Sequence, residues 1–428
     1  MWSEQARIRE IVDQLRGLGY PIVQTEVRVP GTGRLQADVL AWGVDETGEI
    51  VPRLAIEIKH GQRREAALPQ LAQVRAALGT VEHYVLTDKG WFQAGHGLRT
   101  LQPADGPPAL SGRPAGELKS VDLVTELLLQ RVWSRANRGR NGQLSASVLS
   151  AFVETASADS HQASIETVSG DVVAVDPTVL WRARRAVLAD LAERDRSASF
   201  YVSPPAISTA IGSLVGERLD GVVVDPFCGS GSFLWMLQER AAREGRTIET
   251  IGRDIDPEVI RVAFLIGQTA PDKVTFETGD AFRDALPEAD VIVTAPPFGF
   301  RLDTPHKLQN GTSTRLADVA AVDVSLRALK PGGRAVFQLA PSMTFQAPAE
   351  AYREYLANDY RVAALIGCPS GSAYGTQIQT VLMVVDKLPA SETFVAQLSE
   401  DWEKQLAPGG PAMVAALSHI DDPGAGAR

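Results

Sequence analysis

The run Val222–Leu234 (VVVDPFCGSGSFL) leaves a chain few ways to fold. Three consecutive β-branched residues form a buried strand, Asp225 ends it, and Gly229 and Gly231 let the backbone turn tightly before a helix. Glycines in such a turn also occur in plain strand–turn–helix packing, so the neighbouring pattern decides. Strand runs follow at Thr250–Arg253, Val274–Glu277, Val291–Val293, Arg334–Leu339, Val362–Ile366 and Val381–Val385, separated by helical stretches. That alternation predicts an α/β, doubly wound sheet with helices on both faces, and a nucleotide-like ligand at the carboxyl end of its first strand.

Acids close several of these strands. Asp254, in IGRDIDP, lies 23 residues after Gly231, the spacing at which an acid after the second strand reaches ribose hydroxyls. Asp256, directly before Pro257, reads as a helix cap instead. Asp280, in VTFETGDAF, is placed to accept a hydrogen bond from an adenine amino group, with Phe282 packing nearby. The fourth strand runs into APPF, Ala295–Phe298.

Four segments are expected: a small α/β domain over 1–114, a helical bridge over 115–197, the doubly wound domain over 198–388, and a tail over 389–428 made of a short helix and a frayed end. The Pro- and Gly-rich stretch Gln102–Gly116 reads as a linker. Two cysteines, Cys228 and Cys368, exclude a disulfide framework and a four-ligand zinc site. No apolar window is long enough for a membrane span and the amino terminus carries no signal-peptide core, so a cytoplasmic location is expected. A net charge of −10 excludes a general DNA-coating protein, so DNA contacts must be local patches or belong to a partner.

DPFCGSGSF resembles the DPxCGSGxF loop of the adenine-N6 DNA methyltransferases, specifically the modification subunits of type I restriction systems. Four more elements of that family occur in order: FYVSPP at Phe200–Pro205, the APPF turn, LKPGG at Leu329–Gly333 and IGCPSG at Ile366–Gly371. The resemblance covers about Ser199–Lys387. It implies a Rossmann-like methyltransferase domain that binds S-adenosylmethionine through Tyr201, Asp225, Phe227, Gly229, Gly231, Asp254 and Asp280. The family's catalytic element is (N/D/S)PP(Y/F), in which the polar residue and a proline carbonyl hold the amino group of a flipped-out adenine and the aromatic stacks on it. Here Ala295 has no side-chain acceptor, while Pro296, Pro297 and Phe298 remain. Methyl transfer is therefore expected to be weak, and a SAM- and DNA-binding regulatory or scaffolding subunit is the alternative.

In the amino-terminal region, LQADVLAW and RLAIEIKH place Asp38, Glu57 and Lys59 on two strands, with Gln70 on the next helix. Two carboxylates can hold a divalent ion such as Mg²⁺, and an adjacent lysine can position water. The pattern resembles the PD-(D/E)xK nuclease core of restriction subunits, in which a first-helix glutamate also takes part; Glu4 is the first candidate and Glu10 the second. The same residues also suit an ordinary salt bridge on a solvated strand edge. Arg131–Arg140, with four arginines and no acid, suits either phosphate contacts or a solvated helix end. About forty residues follow Lys387, fewer than a target recognition domain needs. DNA sequence choice is thus expected from a specificity subunit or another defence-system partner, within a restriction, modification or phage-defence system.

Overall fold

The computed structural model describes residues 4–29, 35–59, 64–110, 116–136, 148–158, 163–194 and 202–421. The chain divides into two compact units, Met1–Arg138 with Ser157–Ala183, and Gly139–Ala156 with Arg184–Arg428. No helix among the described residues is long and apolar enough to cross a membrane.

The first unit opens with the helix Glu4–Gly17, followed by strands β1 (Ile22–Arg28), β2 (Gln36–Val44) and β3 (Ile50–Ile58). The helix Leu68–Leu78 carries the chain to β4 (Glu82–Thr87), then come β5 (Gly90–Ala94) and β6 (Leu101–Ala104). They form one six-stranded sheet in sequence order. Only β3 and β4 run parallel, because a helix and not a hairpin joins them. Ile11 and Leu15, one turn apart on the first helix, pack with Val39, Ala41, Leu54, Ile56 and Tyr84.

The expected linker at Gln102–Gly116 is corrected here. Gln102 and Pro103 belong to β6, an edge strand, where a residue without an N–H is tolerated. Leu110 is buried in the same core, and its N–H donates to the Leu18 carbonyl at 2.7 Å. Within the expected bridge, a smaller sheet in the order β7–β9–β8 joins β7 (Glu117–Leu118) to an antiparallel hairpin of β8 (Ser164–Glu166) and β9 (Val172–Val175). Arg131 is no phosphate contact: it is 4% exposed and pairs with Glu166 at 2.9 Å. Arg138 and Arg140 lie outside the described residues.

The second unit is built on β10 (Gly221–Asp225), β11 (Ile248–Asp254), β12 (Val274–Thr278) and β13 (Ala289–Thr294). A separate hairpin, β14 (Arg301–Lys307) and β15 (Ser313–Leu316), precedes β16 (Leu329–Leu339), β17 (Arg361–Cys368), β18 (Thr380–Asp386) and β19 (Phe394–Gln397). The main sheet has eight strands in the order β12–β11–β10–β13–β16–β18–β17–β19. Strands β10 to β13 and β16 are mutually parallel and β18 is antiparallel to both neighbours. Successive residues face opposite sides: Val223 packs with Ile207, Ile211 and Leu237, and Val224 with Val322, Leu326 and Tyr352. Both faces are covered at the centre of the sheet, which is why β10, β13 and β18 read as nearly unbroken apolar runs.

The tail expected after Pro389 is also corrected. β19 extends the sheet parallel to β17, and the helix Pro411–Asp421 buries Met413, Ala416 and Ile420. Its carboxyl end is held by buried cations. Arg334 donates to the Ile420 carbonyl at 2.9 Å and to Asp421 at 2.7 Å, and Arg361 donates to the carbonyls of His419 and Ile420 at 2.9 and 3.0 Å. Both guanidiniums share Asp386, which is fully buried, at 2.7 and 3.0 Å. Cations at a helix carboxyl terminus complement its dipole, and the shared carboxylate offsets their charge.

Candidate active site

The sheet order changes direction at β10: the next strand, β11, lies on one side of it and β13 on the other. Such a switch point opens a crevice at the carboxyl ends of the strands. The turn after β10 lines it. Gly229 and Gly231 have φ of 53° and 85°, in the left-handed region. A Cβ at Gly231 would also come within 2.9 Å of the Trp235 ring nitrogen, which already donates to the Ser230 carbonyl.

The turn is tied to the end of β11. Cys228 N–H donates to the Arg253 carbonyl at 2.8 Å and Gly229 N–H to Asp254 Oδ2 at 3.0 Å, while Asp254 Oδ1 accepts from Asp256 N–H at 3.0 Å. Asp256 caps the helix Pro257–Gly267 by accepting from Glu258 N–H, as its place before proline predicts. The helix Ser232–Glu244 begins at Gly231 with no side-chain cap, so its first N–H groups face the crevice without a carboxylate or hydroxyl of that kind. Ser203 N–H reaches Ser232 Oγ at 3.3 Å, which lays the Ser203–Pro205 element over the start of that helix. Tyr201 lies outside the described residues.

Asp225 is 1% exposed. Burial pushes its carboxyl up to about 7, against hydrogen-bond donation from the Thr294 hydroxyl and Phe227 N–H. Burial raises Asp254 as well, against donation from the backbone N–H groups of Asp256, Gly229 and Ile255. Thr294 precedes Ala295 and lies on the other face of the strand. It is fully buried beside Asp225, and its hydroxyl otherwise lacks a partner of good geometry. The same burial, with Asp225 and Asp254 nearby, holds the Cys228 thiol well above its usual range, and burial takes Cys368 to about 12.

Phe227 and Phe282 pack at 5.1 Å between ring centroids with their planes tilted by 47°, and Phe282 meets His306 edge-on at 6.4 Å. Asp280 accepts from Phe282 N–H at 2.9 Å and pairs with the exposed Arg283 at 3.2 Å. Beyond β13, Ala295 and Phe298 are half-buried, Pro296 is buried and Pro297 exposed. The structure thus gathers Asp225, Phe227, Gly229, Gly231, Asp254, Asp280 and the APPF turn at one edge of the sheet. An uncapped helix start, a buried carboxyl with a threonine hydroxyl beside it and an aromatic pair suit a ligand with a carboxylate, a cation and an aromatic base.

In the first unit, Asp38 and Glu57 do come together. Lys59 Nζ is 2.7 Å from Glu57 and 3.8 Å from Asp38, whose Oδ2 also accepts from Ile58 N–H at 2.7 Å. Glu57 is fully buried, its Oε1 has no partner, and burial together with the Asp38 charge pushes it up to about 7. Gln70 is half-buried on the following helix. The side chain of Glu4 is not described, and Glu10 is exposed and paired with Arg7 at 2.7 Å. Among the described residues no three His, Cys, Asp or Glu side chains converge as metal ligands.

Residues 182–406, just over half of the chain, match the family model described as N-6 DNA Methylase. No curated protein matches the sequence. Among solved structures, a class I S-adenosylmethionine-dependent methyltransferase of Listeria monocytogenes superposes with a TM-score of 0.55 at 17% identity, over 69% of this chain and 98% of that one. That likeness shows the α/β methyltransferase fold. A type I restriction-modification assembly component matches at TM-score 0.46 and 20% identity over 52% of this chain and 50% of its own. The methyltransferase subunit of a type I system from Streptococcus thermophilus gives 0.43 and 20% over 49% of each chain. This chain therefore spans about half the length of those two relatives.

Proposed function

The chain belongs to the N-6 DNA methylase family, and from that premise we propose that its second unit binds S-adenosylmethionine and receives an adenine base of DNA. The observation that carries this reading is the turn after β10, locked to Asp254 and lined by Asp225, Thr294 and the uncapped helix start. Asp254 would hold the ribose, Asp280 the adenine amino group, the Phe227–Phe282 pair the adenine ring, and the Gly231 helix start the carboxylate. When bound, the cofactor supplies a methyl group on a sulfonium. The protein's part is to orient the target: the Pro296 carbonyl accepts one amino hydrogen and Phe298 stacks on the base, which offsets part of the cost of flipping it out. Ala295 offers nothing to the second hydrogen. Restriction, modification or phage defence is the setting proposed, in a cytoplasmic complex with a specificity subunit.

Isothermal titration tests the pocket. The wild-type chain should bind S-adenosylmethionine with one site, and Gly231→Val should abolish binding, since valine meets both an unfavourable φ and Trp235. Equal affinity in the two proteins would remove the pocket from this turn. The regulatory alternative is favoured by Ala295 alone, and the methyl-transfer assay on DNA separates it: binding without turnover supports it, and robust turnover ends it.

A nuclease role for the first unit is supported by the unpartnered Glu57 Oε1 beside Asp38 and Lys59. Asp38 and Glu57 would hold Mg²⁺, with Gln70 and Glu4 as further partners and Lys59 positioning water. A first-unit nuclease should nick supercoiled plasmid only with Mg²⁺, and Lys59→Ala should lower the rate at least about a hundredfold, as loss of a preorganised charge does. The same background rate in both proteins would leave these residues an ordinary ion pair.

A further inference from the structure

The hairpin β14–β15 follows directly on the APPF turn and is not part of the main sheet. A lone two-stranded hairpin is marginally stable in water. This one is fastened from behind. Asp323, fully buried, accepts from Gln309 N–H at 2.8 Å and Arg327 Nε at 2.8 Å, and meets His306 Nε2 at 3.2 Å. Leu308 is buried, and Asn310 donates to the Ala351 carbonyl at 3.1 Å. The strands nevertheless stay open to solvent: Arg301, Asp303, Thr304, Pro305 and Lys307 on β14, and Ser313 and Arg315 on β15, are all exposed.

Three features of this surface point to one kind of partner. Between Phe300 and Leu316 three cations, Arg301, Lys307 and Arg315, face one acid, Asp303, in a chain whose net charge is −10. Among the described residues, neither the Arg301 nor the Arg315 guanidinium has a hydrogen-bond or ion-pair partner. The pairing of Arg301 with Leu316 puts both arginines at the end of the hairpin beside Gly299 and Phe300, and Phe300 is 64% exposed. The pairs Arg301–Leu316 and Lys307–Ser313 mark the two ends of the ladder, which β15 crosses in three residue steps, roughly 10 Å or about three base-pair steps of duplex DNA.

We propose that the β14–β15 hairpin is the surface that holds duplex DNA around the target adenine, with Arg301 and Arg315 on backbone phosphates and Phe300 against the stack left open by the flipped base. This assignment rests on the family reading above. Rigid anchoring of an exposed basic ribbon fixes the register of the duplex over the APPF turn, the task that phosphate contacts perform. An apolar side chain beside an unstacked step supports the open base pair.

Fluorescence anisotropy of the full chain with a labelled duplex, across a salt series, tests it. Each phosphate contact contributes about one unit to the slope of log affinity against log salt. The double variant Arg301→Gln/Arg315→Gln should flatten that slope by about two and weaken binding on the order of tenfold or more, with S-adenosylmethionine affinity unchanged. Phe300→Ala should weaken binding several-fold at an unchanged slope. If the wild type binds DNA and the double variant keeps its slope and affinity, the hairpin assignment is overturned and the family reading stands. If the wild type binds the cofactor but no duplex, and binds RNA or a protein in its place, both are overturned.

Discussion

Ala295→Asn is expected to raise methyl transfer to adenine in DNA by about a hundred- to a thousandfold, the effect of restoring one preorganised hydrogen-bond partner worth about 3–4 kcal/mol in the transition state. The gain should fall on kcat and leave cofactor affinity unchanged, because the new amide acts only on the target amino group. The position suits the exchange: Ala295 is half-buried at the mouth of the crevice, and the backbone of the turn is already fixed by Pro296 and Pro297. Ala295→Val is the matched control, adding bulk without an acceptor. Scintillation counting of tritiated methyl groups on DNA gives the readout. An asparagine variant that binds cofactor and DNA yet turns over no faster than the wild type would show that something other than Ala295 limits the reaction.

The second large effect concerns stability. Asp386→Ala should cost about 3–5 kcal/mol, because it strands the Arg334 and Arg361 guanidiniums inside the domain with no carboxylate between them. Arg361 is the more exposed to this loss in energetic terms: its Nε already lacks a partner. Denaturant unfolding followed by circular dichroism reads the midpoint. Limited proteolysis should find Pro411–Asp421 first, since its end is held by the same two arginines. Asp386→Asn keeps the shape and one acceptor and should fall between the two. Wild-type stability in Asp386→Ala would mean that water replaces the carboxylate, with the existing Arg334–Asp421 pair enough to hold the cluster.

The central parallel strands β10 and β13 of the second unit were legible because they are covered on both faces. Val222–Val224 and Val291–Val293 have no alternation to confuse with a helix, and Asp225 and Asp254 fall where β10 and β11 end. The capping role of Asp256 was legible from the proline after it. What escaped were short or exposed elements with no buried apolar pattern of their own. β6 contains Pro103 and looked like punctuation, yet an edge strand has one side that needs no donor. β19, Phe394–Gln397, alternates in exposure and is short, so only its place beside β17 identifies it. The hairpin after APPF is nearly all exposed and carries no apolar pattern at all. Arg334 and Asp386 did leave a signal: each is a charge inside or at the end of a buried apolar run, GGRAVFQL and VLMVVDK, where a lone charge requires a partner. Thr294 left none, since a threonine at a strand end is ordinary until a buried carboxyl is placed beside it.

In the candidate site, the residues named from the sequence were largely the ones gathered at the crevice, because glycine turns and strand-end acids are local signatures. The amino-terminal trio was legible for a different reason: two adjacent strands in register bring Asp38 and Glu57 together once β2 and β3 form a hairpin. What separates an ion pair from a metal site there is the single unpartnered oxygen of Glu57, which no sequence pattern encodes.

The two buried cysteines have a practical consequence. With both thiols sealed from solvent and held far above the range where thiolate forms at neutral pH, neither Cys228 nor Cys368 competes for a maleimide. Cysteines introduced on the surface would therefore be labelled ahead of the two native ones. A dye placed at Asn310 on the hairpin loop, and another on the first unit, would follow in real time how the two units respond when cofactor and duplex arrive.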